Sequence, residues 1–366
     1  VATGLRIAVA VAAALGTCLK PHFLVVPVAV ELLVLVVMRR PLLAMRLENL
    51  VMIATGVAYV AAVVVLAPGY LGDVLPAALH NYDAYNSTAG VVLRNAAIVL
   101  ALPVLAVLAG LARCHDGTLR RSGFVMLTAA AGAAVAAALQ MKGWQYHWYP
   151  ALALSAAGLA VLFAGPRNPQ SGQLIPGVLL GLAIVLSFAR PAVLLAADTV
   201  IRGGTPDRVA ALAQAIDDAR PATGARPVVF AYITSPRDVM PAVLMANARW
   251  ASTACCMHFV PAAVRDERGL TNPDAATRDI RARNARDQIA GVVADLKSGS
   301  PALIIFDEAR YKLGFGELKY SWMAAAAAEP ELARLLQGYR PVGGVGDFAI
   351  MQRRDTLSLN LKPSLN

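Results

Sequence analysis

The chain has 366 residues and a formal net charge of +10, with 58% of its residues hydrophobic and only 15% charged. A soluble domain of this length carries roughly a quarter charged residues, so the composition excludes a chain that is soluble throughout. The apolar excess lies before Ala197 and most acidic residues follow it, which indicates two regions in two solvents. We therefore expect a transmembrane helical domain over residues 1–197 and an α/β domain over residues 198–366.

Apolar segments of near-spanning length recur along the first region, where a bilayer requires about 20 apolar helical residues. They are Leu5–Leu19, Phe23–Met38, Leu50–Ala67, Asn95–Ala112, Phe124–Leu139, Pro150–Ala164 and Leu174–Ala197. This repetition excludes a single secretory signal peptide. It predicts a multi-pass α-helical membrane protein of about seven spans.

Arginines are concentrated in alternate connections between these segments, which indicates how the chain is oriented. They are Arg39, Arg40, Arg46, Arg113, Arg120, Arg121 and Arg167. The positive-inside rule places such connections in the cytoplasm, so these basic residues indicate topology rather than a nucleic-acid partner. The Lys20 turn, the loops 68–94 and 140–149 and everything after Ala197 then lie outside the cytoplasmic (inner) membrane.

The two longer outside loops combine aromatic and ionisable side chains. An interfacial aromatic belt accounts for Trp148 and Tyr149, since such rings settle at headgroup depth. It does not account for Lys142 and His147 in the same short turn, where a cation beside aromatic rings suits a ligand that carries phosphate and sugar. Lys20, before Pro21, is either a snorkelling lysine at a helix end or a phosphate anchor.

Two further features of the sequence bear on function. Glu31 lies within the second apolar segment, where an acid is costly and marks either a functional site or a pair with another buried polar group. The cysteines Cys18, Cys114, Cys255 and Cys256 match no metal-like spacing or disulfide framework, so no metal is expected. We expect Cys18 to be a small apolar filler, and the adjacent pair to be separate thiols, because a vicinal disulfide is strained.

Beyond Ala197 the pattern predicts strands that alternate with helices. The predicted helices are 206–219, 239–250, 277–296 and 315–339, the last divided near Pro330, and the predicted strands are 227–233, 302–306 and 347–353. This alternation favours a small Rossmann-like sheet. Asp307 and Glu308 follow the second strand, where such sheets often place sites, or they only finish that strand. Gly343–Gly346 is expected to be a turn, in the wrong context for a dinucleotide loop.

Three segments together resemble a known family. Leu19-Lys20-Pro21-His22-Phe23, Ala67-Pro68-Gly69-Tyr70-Leu71 and Lys142-Gly143-Trp144-Gln145-Tyr146-His147 resemble bacterial GT-C glycosyltransferases, in the branch related to protein O-mannosyltransferases and the lipid A aminoarabinose transferase. The stretch 241–261, with Ala248-Arg249-Trp250-Ala251-Ser252, resembles the C-terminal periplasmic part of uncharacterised members. The resemblance covers most of the chain.

The resemblance implies transfer of sugar from a polyprenyl-phosphate donor outside the cytoplasmic membrane. Membrane lipid is a further expected partner, the acceptor is unknown, and no cofactor is expected. The lipid phosphate is expected near Lys20, Lys142 and His147. The full set of expected substrate-binding residues is Lys20, His22, His80, Tyr82, Tyr85, Lys142, Trp144, Tyr146 and His147.

The family's catalytic acid lies in an outside loop between its first two helices, and this chain departs from that pattern. It opens at Val1 almost directly into apolar helix, so we expect either the C-terminal part of a longer protein or a degenerate member. Asp73 and Asp83 are the nearest outside acids, but neither matches the catalytic position. Three hypotheses stay open: a glycosyltransferase, a catalytically incomplete binding or scaffold protein of the same fold, and, last, a transporter, for which paired repeats are lacking.

Overall fold

The computed structural model describes residues 2–37, 39, 45–114, 116–163, 205–221 and 223–354. The described part is mostly helical with one small sheet. It falls into two compact units, of which the first comprises Val1–Gly72 and Asn86–Leu194. The second unit comprises Asp73–Tyr85 and Leu195–Asn366, so a short segment of a predicted outside loop packs with the C-terminal domain.

Except for α4 (Leu75–Asn81), which lies in the predicted outside loop 68–94, the helices up to residue 163 follow the apolar segments of the sequence. They are α1 (Thr3–Leu19), α2 (Val25–Leu32), α3 (Leu47–Leu66), α4 (Leu75–Asn81, in the second unit), α5 (Ala89–Arg113), α6 (Gly117–Leu139) and α7 (Tyr149–Phe163). Helices α5 and α6 begin earlier than predicted because polar caps precede them. Thr88 accepts a hydrogen bond from the amide of Val91, and Asp116 accepts from those of Thr118 and Leu119.

Two described helices, α3 and α6, are long and apolar enough to cross a membrane, as judged by length and composition. No residue of α3 is buried, and Val57, Val60 and Leu66 are exposed by 65%, 58% and 81%. A core helix of a soluble protein would be buried, so this apolar surface is compatible with lipid contact. These two helices do not confirm seven spans, and the predicted seventh segment, 174–197, lies outside the described residues.

Helix α6 packs on its neighbours through small residues. Its buried positions are Gly123, Ala129, Ala130, Gly132, Ala133, Ala136 and Ala137. A Cβ at Gly132 would lie 3.0 Å from Cα of Val26 and 3.2 Å from the carbonyl oxygen of Val25. Glycine at this position therefore permits the close approach of α2 and α6, as is common between membrane helices.

Ion pairs connect the polar residues of the first three helices. Arg6 on α1 donates to both carboxylate oxygens of Glu48 on α3, each at 2.8 Å. Glu31 on α2 accepts a hydrogen bond from Arg46, a partner that cannot be identified from the sequence alone. The acid within an apolar segment is thus accounted for by a structural pair.

The second unit contains an α/β domain. Its remaining elements are α8 (Thr205–Asp218), β1 (Val228–Tyr232), α9 (Val239–Met245), β2 (Arg249–Trp250), α10 (Val260–Glu267), α11 (Ala275–Gly299), β3 (Leu303–Asp307), α12 (Trp322–Ala328), α13 (Pro330–Leu336), β4 (Tyr339–Val345) and β5 (Phe348–Arg353). The sheet order is β2-β1-β3-β5-β4. β1 is parallel to β2 and β3, whereas β5 is antiparallel to β3 and β4.

Alternate residues of the central strands form two cores, one on each face of the sheet. Val229, Ala231 and Ile305 lie in the core that includes residues of α8 and α9. Phe230 and Phe306 lie in the core that includes residues of α10–α13. Burial of both faces explains why β1 and β3 appear in the sequence as continuous apolar runs.

The structure corrects three predictions in this domain. The helix expected over 239–250 ends at Met245, because Asn247 adopts a positive φ of 49° and Arg249–Trp250 pairs with β1. The helix expected from Phe315 begins only at Trp322, after glycines with positive φ at 314 and 316. Gly343–Val345 belongs to strand β4 rather than to a turn, because β4 pairs with β5 as a hairpin.

Candidate functional site

The first predicted site residues, Lys20 and His22, lie in a tight turn after α1. Helix α1 ends at Leu19, and Lys20 leaves helical geometry with φ −142° and ψ 86°, as expected for a residue before proline. A short 3₁₀ turn, Pro21–Leu24, follows and contains the exposed His22. Lys20 Nζ lies 5.5 Å from the centroid of Phe23 and 5.6 Å from that of Tyr146. The turn thus brings Lys20 to the second predicted site segment, within the range of a cation–π contact.

The segment after α6, residues 140–148, is held by the start of α5 and the residues just before it. The amide of Ser87 donates to the carbonyl of Met141 at 2.6 Å, and Ser87 Oγ donates to that of Lys142 at 2.9 Å. Asn95 Nδ2 donates to the carbonyl of Gly143 at 3.0 Å. These bonds satisfy three successive carbonyls, so the turn has a fixed backbone rather than the variable path of a linker.

Gly143 is required for this close approach. It has a φ of +64°, and a Cβ there would lie 2.6 Å from Ser87 Oγ. Lys142 is oriented by the same neighbourhood, because its Nζ donates to Oδ1 of Asn86 at 2.8 Å. Its ammonium is therefore positioned by the turn and its contacts before any ligand arrives.

Aromatic side chains of the turn form a contiguous surface around His147. The ring centroids of Trp144 and Tyr146 are 5.7 Å apart in a stacked arrangement. The imidazole of His147 lies edge-on to both rings, at 5.4 Å from Trp144 and 4.4 Å from Tyr146. Aromatic faces of this kind pack against the C–H faces of sugars and against cations.

His147 is the most buried ionisable residue of this cluster, with only 4% of its surface exposed. Burial, together with the positive charges of Lys20, Lys142 and His22, lowers the pKa of His147 to about 4. Its Nδ1 has no hydrogen-bond partner among the described residues. The structure therefore holds a neutral imidazole with an unused polar atom amid basic groups, an arrangement that favours an anion.

We call Lys20, His22, Lys142, Trp144, Tyr146 and His147 the cation–aromatic cluster, and all six belong to the first unit. The other three predicted binding residues, His80, Tyr82 and Tyr85, belong to the second unit. Tyr85 is 6% exposed and donates from its hydroxyl to the carbonyl of His258 at 3.1 Å. Its role there is packing within the second unit, and substrate binding by His80, Tyr82 and Tyr85 stays a prediction.

The second unit contains a cavity of about 390 Å³ that is lined by both polar and apolar side chains. The wall includes Asp73, Asn284, Asp287 and Asp295 beside the apolar Phe230 and Phe259. Asp295 accepts from Ser252 Oγ at 2.8 Å and from the amide of Thr253 at 3.1 Å, which fixes the loop after β2. Asn284 Nδ2 is buried and has no hydrogen-bond partner among the residues that the structure describes.

Asp307 and Glu308, at the end of β3, bond to nearby main chain. Asp307 Oδ1 accepts from the amide of Ala309 at 3.0 Å, and Glu308 Oε1 accepts from that of Met323, at the start of α12, at 2.9 Å. Burial raises the pKa of Asp307. Of the two interpretations left open by the sequence, these contacts favour the structural one.

A group that the sequence did not suggest lies after β2. A sulfur of Cys255, a sulfur of Cys256 and an imidazole nitrogen of His258 lie within 4.8 Å of one another. The spacing, two adjacent cysteines and a histidine two residues later, matches no familiar motif, so the sequence alone predicts no metal here. The convergence results from the path of the loop, which a spacing rule does not capture.

Comparisons of the chain with protein-family models, curated proteins and solved structures gave no match. A functional assignment therefore depends on this chain's own residues. Among the predicted site residues, the structure brings together those of the cation–aromatic cluster, which come from turns that are distant in sequence.

Proposed function

We propose that the protein is a glycosyltransferase-like, multi-pass membrane protein that binds a polyprenyl-phosphate-linked sugar at the outer face of the cytoplasmic membrane. The observation that supports this most is the cation–aromatic cluster, in which Lys20 and Lys142 come from separate turns and act on one buried histidine. The proposal also draws on the resemblance of these turns to bacterial GT-C glycosyltransferases.

The cluster has the chemistry that a sugar-phosphate donor requires. Each lysine supplies a positive charge and hydrogen-bond donors for a phosphate diester, and charge-assisted bonds of this type are the strong ones. Neutral His147 can donate one further hydrogen bond without adding a buried charge. The stacked rings of Trp144 and Tyr146 offer a face for the sugar.

The apolar helices fit the remainder of such a donor. A polyprenyl chain is hydrocarbon and partitions into the bilayer, which leaves its phosphate at the interface. The cluster occupies the turns after α1 and α6, at the ends of apolar helices. A phosphate bound there would therefore lie where the lipid chain can remain in the membrane.

Transfer would form a bond between an acceptor oxygen and the anomeric carbon and break the bond between that carbon and a phosphate oxygen. Negative charge then develops on the departing polyprenyl phosphate, and the lysines would stabilise it more strongly than the ground state. The acceptor proton must pass to a base, and we assign no residue of this chain to that role.

A second candidate function is binding of the lipid-linked sugar without transfer. It is favoured by the composition of the cluster, since among the described residues the charges that lower the pKa of His147 belong to Lys20, Lys142 and His22, all of them basic. Under this proposal the protein holds or presents the donor to a partner that supplies the catalytic acid. Only an assay that measures transfer separately from binding distinguishes the two.

The test uses the full chain in detergent or in membranes, with a radiolabelled polyprenyl-phosphate sugar. We expect Lys142→Ala and His147→Ala each to weaken donor retention roughly 10- to 100-fold, as expected for loss of a hydrogen bond to a charged group. The matched control is Arg120→Ala, which removes one positive charge at the opposite end of α6. Retention unchanged in both cluster variants would overturn the proposal.

Label transfer is followed in the same samples with an added membrane extract as the source of acceptor. Transfer that is lost in the cluster variants supports the glycosyltransferase, whereas retention without transfer supports the binding protein. Thermal unfolding of each variant shows whether it is folded, so a binding defect can be separated from misfolding.

A further inference from the structure

Cys255, Cys256 and His258 form a compact donor group in the second unit, whereas the cation–aromatic cluster belongs to the first. The two sulfurs and an imidazole nitrogen all lie within 4.8 Å of one another. In a tetrahedral zinc site, with Zn–S bonds of about 2.3 Å and Zn–N bonds of about 2.0 Å, ligand atoms lie roughly 3.5–3.8 Å apart. Small side-chain rotations therefore suffice to close the group around one ion.

The backbone that carries these donors is fixed on several sides. The amide of Met257 donates to the carbonyl of Ile233, just after β1, at 2.7 Å. Gln288 on α11 donates to the carbonyl of Cys256 at 3.0 Å and accepts from the amide of Phe259 at 3.0 Å. The carbonyl of His258 accepts from the hydroxyl of Tyr85 at 3.1 Å. Such preorganisation lowers the ordering cost of binding a metal.

The donor set has the character that zinc prefers. Two thiolates and one imidazole occur together as protein ligands of zinc, and a site with three protein ligands keeps one position for water or another ligand. Cys255 is exposed and offers a route of entry, whereas Cys256 is 3% exposed and also lines the cavity of about 390 Å³. The open position would thus have access to this cavity.

We propose that Cys255, Cys256 and His258 form a zinc-binding site. Binding converts two thiols to thiolates and releases two protons as two Zn–S bonds and one Zn–N bond form. The affinity must therefore fall as the pH falls. The inference is independent of the proposed function, because its residues lie in the other unit and its test measures no sugar.

The test is titration of the reduced, chelator-treated full chain in detergent with Co²⁺, a spectroscopic substitute for Zn²⁺. We expect one equivalent to produce a thiolate-to-cobalt charge-transfer band and the strong visible bands of tetrahedral Co²⁺. One equivalent of Zn²⁺ should abolish both. A metal bound only at higher stoichiometry, or without the charge-transfer band, would overturn the assignment.

Variants assign the ligands. Cys255→Ser changes an exposed side chain and should preserve the fold. It should weaken Co²⁺ binding by more than roughly 100-fold, because loss of a residue that only hydrogen-bonds to a metal ligand already costs roughly 10- to 100-fold. His258→Gln should shift the visible bands and weaken binding in the same way. The matched control is Cys18→Ser combined with Cys114→Ser, which removes the two first-unit cysteines and should bind Co²⁺ like the parent.

Two further outcomes would overturn the proposal. One is a Cys255–Cys256 disulfide found by mass spectrometry in the protein as isolated, with no zinc bound after reduction. The other is a protein that binds copper(I) at these cysteines but neither Co²⁺ nor Zn²⁺. Metal analysis of the protein as isolated, with zinc at one equivalent in the parent and lost in Cys255→Ser, would support it.

Discussion

Arg281 on α11 forms an ion pair with Asp83, a residue 198 positions earlier in the chain. The same guanidinium donates to the carbonyl of His80 at 2.7 Å and to Oδ1 of the buried Asp266 at 2.9 Å. Arg265 adds a bond from its Nη1 to the carbonyl of Ala84 at 2.9 Å. These arginines attach the segment 73–85 to the α/β domain, which is why it belongs to the second unit.

Replacing Arg281 should destabilise the second unit strongly. Its side chain is 6% exposed and that of Asp266 is 2% exposed, so Arg281→Ala would leave a buried carboxylate without its cationic partner. Removing one member of a buried pair costs about 3–5 kcal/mol. Thermal unfolding should show this loss, and limited proteolysis should show faster cleavage within residues 73–85.

Two variants separate this effect from a simple change of charge. Arg286→Ala removes an exposed arginine of the same helix, and Asp83→Asn alters the partly exposed member of the network. Each should cost only about 0–1 kcal/mol, as is usual for exposed pairs. Equal destabilisation by Arg281→Ala and Arg286→Ala would show that the network does not hold the segment.

The sequence predicted the central strands well and the edge of the sheet poorly. β1 and β3 are covered on both faces, so they appear in the sequence as unbroken apolar runs. Such runs can be identified as strands without knowing which strands they pair with. β4 contains Arg340, Pro341 and two glycines, residues that are poor strand formers. Its pairing with β5 outweighs these preferences, and no local pattern encodes that pairing.

The candidate site was predicted only in part, because local sequence patterns do not encode contacts between distant segments. Residues that lie in one turn, such as Lys142 and His147, could be grouped from sequence because the chain itself keeps them close. His80, Tyr82 and Tyr85 were grouped with them by predicted topology, whereas Arg281 and Arg265 attach their segment to the second unit. Contacts over such separations depend on tertiary packing, whereas the convergence of Cys255, Cys256 and His258 is local and depends on the path of their loop.

A bulky residue at Gly132 should disrupt the packing of α2 on α6. In Gly132→Leu the new Cβ would lie 3.0 Å from Cα of Val26, a backbone atom that cannot move aside cheaply. Overpacking of this kind costs about 1–3 kcal/mol. The matched control is Gly56→Leu on α3, where no atom lies within 4 Å of the new Cβ. The unfolding temperature in detergent should be lowered by Gly132→Leu only. Equal decreases in both variants would contradict the close contact of α2 and α6.

A side chain at Gly143 should disturb the cation–aromatic cluster without unfolding the protein. Alanine there would combine a strained φ of +64° with a Cβ 2.6 Å from Ser87 Oγ. We expect Gly143→Ala to displace Lys142 and to weaken donor retention by roughly tenfold, which corresponds to the loss of about 1.4 kcal/mol of interaction with a charged group. Gly90→Ala, on the first turn of α5 with no atom within 4 Å, is the control and should retain donor normally.

His147 should make stability depend on pH. Its pKa is lowered to about 4 by burial and by the charges of Lys20, Lys142 and His22, whereas an unfolded histidine titrates near about 6.5. Between these values the unfolded state binds more protons, so stability should be complete above about pH 6.5 and fall by up to roughly 3 kcal/mol as the pH approaches 4. The measurement is the unfolding free energy against pH for the parent and for His147→Gln. Packing lost in His147→Gln would offset the two curves of unfolding free energy by a constant amount. Titration of His147 would instead make the parent's curve steeper in acid. Parallel curves would refute a buried neutral imidazole.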